Sequence, residues 1–184
     1  PFFDTSLHVL KGAAASVLQL QIGRTTVAVK QLEDFTGRLT LGSVATFTEE
    51  HRSAISRLVE QKVQEDAPFR IWNMSRAEAE AMYGETMYDA FPVPDSVTEL
   101  RLVNLERWCL NAGIYPILKS TGLLRRLEIT KTKHNASKGQ LEISFQCFPE
   151  NGSPPLLAET LERLDPAPPL EACVPDASKP PDLA

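Results

Sequence analysis

The chain has 184 residues, 42% of them hydrophobic and 23% charged, with a formal net charge of −5. That is enough apolar sequence for one domain with a real core, and no apolar run reaches the roughly 18 residues a membrane-spanning helix needs. It opens at Pro1 without a basic, apolar leader, so any targeting segment is expected to be absent or already removed. Leu7, Leu10, Ala14, Val17 and Leu18 recur at helical spacing and predict a helix over Asp4–Gln19 with a broad buried face. Its Gly12-Ala13-Ala14-Ala15 run would let another element approach the backbone closely. Two strands rich in β-branched residues are expected next, at Thr25–Val29 and Gly37–Leu41.

The second helix carries the clearest signals. Thr46-x-x-Glu49 reads as a capping box, and Ile55, Leu58, Val59 and Val63 form one apolar stripe through Thr48–Gln64. His51, in its first turn, is expected to face solvent. Phe69–Trp72 follows as a short strand. Ser75-x-x-Glu78 then opens a short Ala- and Glu-rich helix that Gly84 can end. Phe91–Pro94 is an irregular approach to a strand at Glu99–Leu105. Two final strands, Arg125–Thr130 and Gln140–Phe148, flank the turn-forming cluster Asn135–Gly139. Strands close in sequence, without a helix after each, predict an α+β fold: a curved, mainly antiparallel sheet packed against the two longer helices.

Residues 1–148 thus form the expected domain, and 149–184 an acidic, proline-rich tail. Nine of the 14 prolines lie from Pro149 onward, a composition suited to extended chain. From Glu150 to Ala184 seven acids face two bases, so the tail carries the whole net charge and the body is neutral. A neutral body is not the usual footprint of an autonomous nucleic-acid binder. Arg125-Arg126 and Lys131-Thr132-Lys133 are local basic clusters. They could contact RNA, although their ordinary reading is solvated strand faces. Within the tail, Leu156–Leu164 has helical spacing, and Leu157, Leu161 and Leu164 would line one face of a short amphipathic helix. That helix could dock in a partner's groove or fold back over its own domain. The three cysteines, Cys109, Cys147 and Cys173, form no CxxC pair. Their spacing argues against a disulfide scaffold and a thiolate zinc site. A mitochondrial matrix location is favoured on that basis, with the cytoplasm as the alternative.

No nucleophile elbow, P-loop or Gly-rich dinucleotide turn is present. His8, His51 and His134 are the only histidines. The informative stretch runs from Trp108-Cys109-Leu110-Asn111-Ala112-Gly113 through Ile117 to Thr121-Gly122, read with Asp4-Thr5-Ser6-Leu7-His8. These segments, together with Ser75-Arg76-x-Glu78-Ala79 and the strand Gly37–Leu41, resemble the aminoacyl-tRNA editing domain. That family comprises the second additional domain of alanyl- and threonyl-tRNA synthetases and free-standing alanyl-tRNA editing proteins. The resemblance spans about Asp4 to Phe148. It implies a metal site with two ligands from a helical HxxxH pair and two from a CxxxH pair before Thr-Gly. Here Asp4 stands at the first His and His8 matches the second, while Gly113 replaces Cys and Ile117 replaces His.

Glycine has no side chain and isoleucine offers only hydrocarbon, whereas a hydrolytic zinc site needs about three protein ligands. Asp4 and His8 share a helical face and could hold a metal weakly as an i, i+4 pair. The plainer readings are a carboxylate at the helix start and a hydrogen-bonded buried histidine. A shifted site of Asp4, His8 and Cys109 is the weaker metal candidate. The expectation is therefore a vestigial pocket at Asp4, His8, Gly113 and Ile117, with no catalytic residue and no cofactor. The protein would be a non-catalytic descendant of the editing domain, holding to protein subunits of a larger RNA-handling assembly. A mitochondrial ribosome or its assembly intermediate is the favoured setting. The alternative is a zinc-dependent deacylase acting on mischarged aminoacyl-tRNA.

Overall fold

A computed structural model describes residues 1–21, 23–33, 35–91, 93–149 and 160–175. The chain folds as α+β, with its described strands in two antiparallel sheets rather than one continuous curve. Helix α1 (Phe2–Leu18) leads into β1 (Thr26–Glu33), β2 (Thr36–Leu41), α2 (Glu49–Gln64), β3 (Phe69–Ser75) and α3 (Arg76–Tyr83). Strands β4 (Glu99–Leu105), β5 (Cys109–Ala112), β6 (Leu127–Asn135) and β7 (Gln140–Cys147) follow, with a short helix α4 (Leu170–Cys173) in the tail. The first sheet has the order β1-β2-β7-β6 and the second β3-β4-β5. No helix among the described residues is long and apolar enough to cross a membrane.

The four-stranded sheet obeys the period-2 rule. Leu39, Leu41, Leu141, Ile143 and Phe145 are buried on one face, and Arg38, Thr40, Glu142 and Ser144 are partly exposed on the other. The three-stranded sheet does not alternate in that way, because it separates two cores. Phe69, Ile71, Val103 and Leu105 join the main core with α1 and α2. Trp72, Leu100, Leu102 and Leu110 join a second one with Ala79, Tyr83 and Cys173. A sheet buried on both faces has no solvent side to mark with polar residues.

Every residue of α1 from Thr5 to Ala15 is buried, so the helix is wrapped nearly all round. The small-residue run explains how. A Cβ on Gly12 would lie 2.2 Å from the Trp108 ring, and the Trp108 indole N–H donates to the Val9 carbonyl at 3.0 Å. The second helix is capped two residues later than Thr46-x-x-Glu49 implies. Thr48 is its N-cap, accepting from the His51 amide, and His51 Nδ1 accepts the Thr48 amide at 3.3 Å. His51 is therefore half-buried and engaged, and a histidine fills the place a glutamate usually takes in the box. Ser75 caps α3 and Gly84, at φ 58°, ends it.

The expected helix over Leu156–Leu164 lies partly outside the described residues. Its described part is extended: Thr160 bridges to Leu118, and the Leu161 amide donates to the Ile117 carbonyl at 2.9 Å. Proline-flanked chain satisfies its amides against a neighbouring strand edge instead of within a turn. Leu161 packs against the main core and Leu164 is 52% exposed, while Leu157 is outside the described residues. Further on, Tyr83 donates to the Pro168 carbonyl at 2.6 Å, and Asn104 donates to that of Cys173 at 3.1 Å. Residues 160–175 thus run as a strap over their own domain.

Candidate functional site around the first helix

Five polar side chains sit in the first three turns of α1 within mostly apolar surroundings: Asp4, Thr5, Ser6, His8 and Lys11. All but Asp4 are less than 9% exposed. Burying polar groups costs free energy unless they are paired, so their partners define the site. Thr5 Oγ1 donates to the Pro1 carbonyl at 2.7 Å and accepts the Leu118 amide at 3.0 Å. That second bond brings the segment holding Ile117 against the start of α1. His8 Nδ1 lies 2.8 Å from the Asp4 carbonyl. A carbonyl can only accept, so Nδ1 carries the proton and Nε2 is left with a bare lone pair. Nε2 is buried and has no hydrogen-bond partner. Burial, reinforced by the nearby Lys11 and Arg101 cations, pushes the His8 pKa down to about 4.

One turn further, Lys11 makes the strongest polar cluster. Its ammonium donates to both oxygens of Asp89, at 2.7 and 3.0 Å, and to Asn111 Oδ1 at 2.7 Å. Asn111 in turn donates to the Met87 carbonyl at 3.0 Å. The register that pairs Val103 with Asn111 puts both on the sheet face toward α1, and Arg101 stands on that face two residues before Val103. Arg101 donates to the carbonyls of Gly113 and Tyr115, at 2.8 and 3.2 Å. Its guanidinium pKa is lowered by burial, an effect that Asp4 opposes. Asp4 has its own carboxyl pKa raised by burial, with Lys11 and Arg101 pulling the other way.

The structure therefore links Asp4 directly to His8, and Asp4 electrostatically to the Arg101 that holds Gly113. No hydrogen bond joins Gly113 or Ile117 to Asp4 or His8. A Cβ on Gly113 would meet nothing within 4 Å, while Ile117 is 0% exposed and belongs to the main core. Cys109 is buried, and burial pushes its thiol up to about 12, so at neutral pH it is a protonated core thiol. Among the described residues no three His, Cys, Asp or Glu side chains are grouped so as to hold a metal ion. The residues present thus do not make a closed metal shell. His8 has ligand character, because its free Nε2 is in the tautomer a metal would need.

Lys11, Asp89 and Arg101 were not legible as site residues. The available signal was a single lysine three residues after His8 inside an otherwise Leu- and Ala-rich helix, on the same face. Thr121 and Gly122 have structural roles. Thr121 Oγ1 donates to the Lys62 carbonyl at 2.6 Å and accepts the Ala67 amide at 2.9 Å. Gly122 donates to Asp66 Oδ1 at 3.0 Å, where a Cβ would lie 2.3 Å from that oxygen. Of the expected basic contacts, Arg126 is spent on its own fold. It pairs with Glu128 at 3.2 Å and stacks 4.0 Å from the Phe148 ring centroid.

By sequence identity, this antiparallel α+β chain, whose first helix faces the Trp108–Gly122 segment, belongs to the alanine–tRNA ligase family. Over 143 residues, 78% of this chain, it is 31% identical to the alanine–tRNA ligase of Pyrococcus furiosus, and 32% identical over the same share to that of Pyrococcus abyssi. The alanine–tRNA ligase of Thermococcus kodakarensis is 32% identical over 70% of the chain. The matched stretch spans only about 15% of the length of the two Pyrococcus proteins. No protein-family model matches the chain.

Proposed function

We propose that this chain is a descendant of the alanyl-tRNA editing domain that has lost hydrolysis and acts as a binding module in an RNA-handling assembly. The carrying observation is the state of the four ligand positions. His8 keeps a bare ring nitrogen and Asp4 a carboxylate, whereas Gly113 brings no side chain and opens onto empty space and Ile117 is sealed in the core. A hydrolytic zinc site built on these two residues would still be one ligand short of the usual three. Kinship with alanine–tRNA ligases supports a tRNA-related role. Within this reading the favoured setting is a mitochondrial ribosome or an assembly intermediate, with protein subunits as the main partners.

The second reading, a zinc-dependent aminoacyl-tRNA deacylase, is favoured by the bare Nε2 of His8. Zinc there would polarise an ester carbonyl or a water, with Asp4 as a second ligand. Elemental analysis of the purified protein separates the two. We expect less than stoichiometric zinc in the wild type, and zinc uptake after Asp4→His, Gly113→Cys and Ile117→His are combined. Stoichiometric zinc in the wild type that disappears in Asp4→Ala/His8→Ala would overturn the non-catalytic reading. A triple variant that folds but takes up no metal would mean that the four positions do not converge.

A further inference from the structure

The sheet register collects cations that are far apart in sequence. Lys30 on β1 pairs with Arg38 on β2, Arg38 with Ser144 on β7, and Ser144 with Lys131 on β6. These four side chains form one row across all four strands, on the face opposite the core. In the adjoining row Lys133 pairs with Glu142, and Glu142 with Thr40. Strands lie about 4.8 Å apart, so the first row crosses about 14 Å.

The arrangement is electrostatically unfavourable for the fold alone. Lys30 and Arg38 are directly opposite, and like charges in that position destabilise a strand pair. Glu142 is the one acid in the two rows. It lies 3.7 Å from Arg38, and Arg38 Nε still has no hydrogen-bond partner. Lys30, Lys131 and Lys133 are exposed and make no ion pair with a described residue. Between the long cations, Ser144 and Thr40 form a shallow floor of hydroxyl groups that can donate hydrogen bonds. A polyanion with regularly spaced charges and acceptor oxygens would relieve the repulsion and use those donors.

We infer that this outer sheet face binds the phosphodiester backbone of RNA, with Lys30, Arg38, Lys131 and Lys133 as the contacting cations. The inference rests on the RNA-handling reading above and gives it a surface that is separate from the α1 pocket. It keeps Lys131 and Lys133 of the expected basic contacts and takes Lys30 and Arg38 in place of Arg125 and Arg126. The contacts are to phosphate, so binding is sequence-tolerant and strongly salt-dependent.

The test is fluorescence anisotropy of the full chain with deacylated tRNA, and with a mixed-sequence single-stranded RNA of about 12 nucleotides, across a salt series. The variant is Lys30→Gln/Lys131→Gln/Lys133→Gln, which changes exposed strand positions only. Three lost phosphate contacts should flatten the slope of log Kd against log salt by about 2 on the single strand. Neutralising Arg70, Arg107 and Arg163 to Gln should leave that slope in place. A wild type that binds tRNA with a slope indifferent to the sheet lysines overturns the sheet face and leaves the broader reading standing. A wild type that binds no RNA overturns the sheet-face inference, while the non-catalytic reading is decided separately by the zinc analysis; one that prefers a polyglutamate peptide replaces RNA as the occupant.

Discussion

His8 concentrates the physical tension of this molecule in one side chain. Its ring is buried edge-on to Phe69, with centroids 5.8 Å apart, and one nitrogen lacks a partner. Because the folded-state pKa is about 4, against an ordinary 6.5, the unfolded chain binds the proton more readily. Stability should therefore be fully present above pH 6.5 and fall as the pH drops from there toward about 4. The loss is at most about 3 kcal/mol. The raised pKa of Asp4 works in the opposite sense, so comparison with His8→Gln isolates the part that belongs to His8. Urea unfolding of the wild type and His8→Gln at several pH values checks this; an equally steep pH dependence in the variant would assign it elsewhere. The same scale explains which motif residues remain. Trp108, Asn111, Thr121 and Gly122 each hold a hydrogen bond or a close packing contact. Gly113 has no side chain and Ile117 offers only hydrocarbon, so neither does such polar work.

Among the elements, α1 depends on what its small residues admit. Trp108 lies across Gly12, and the Lys62 ammonium of α2 stands 4.4 Å from the centre of its ring. One indole thus couples α1, α2 and the turn before β5. Gly12→Ala should destabilise the fold by about 1–3 kcal/mol despite the better helix propensity of alanine, because the ring must move. Trp108→Ala removes the clash along with the packing, so the double variant should cost clearly less than the sum of the two single ones. Additive losses in chemical denaturation would show that the ring and the glycine are independent. The Gly-Ala run announced a close approach to α1. The partner came from 96 residues away along the chain, by the numbering of Gly12 and Trp108, and helical periodicity carries no information about it.

For the whole molecule, the tail segment that could either dock on a partner or fold back folds back over the residues described. Leu161 packs against the main core, and Leu170, Cys173 and Val174 complete the second. Cys173 is 0% exposed within it, and Tyr83 and Asn104 both donate to tail carbonyls. Deleting 150–184 should therefore lower stability by about 3 kcal/mol, through a buried phenol left without its acceptor and an uncovered apolar surface. Thermal unfolding of the truncated chain measures this. An unchanged Tm would mean that the strap is idle and that the tail is free for a partner.

The sequence by itself determined the local elements and the donor atoms that each position can offer. The Ser75 cap, the apolar stripe of α2, the strand Glu99–Leu105 and the turn at 135–139 are encoded within a few residues of where they act, so their patterns could be read directly. Short β5 escaped because both faces of its sheet are buried and no alternation marks it. Gly113 and Ile117 cannot ligate a metal in any fold. Only the tertiary structure decided which groups stand opposite one another: Lys11 with Asp89, Arg101 with Gly113, and the cation row from Lys30 to Lys131. Those pairings depend on strand register and helix docking over long sequence separations. They are set by the burial of apolar surface across the whole domain, which no local pattern specifies.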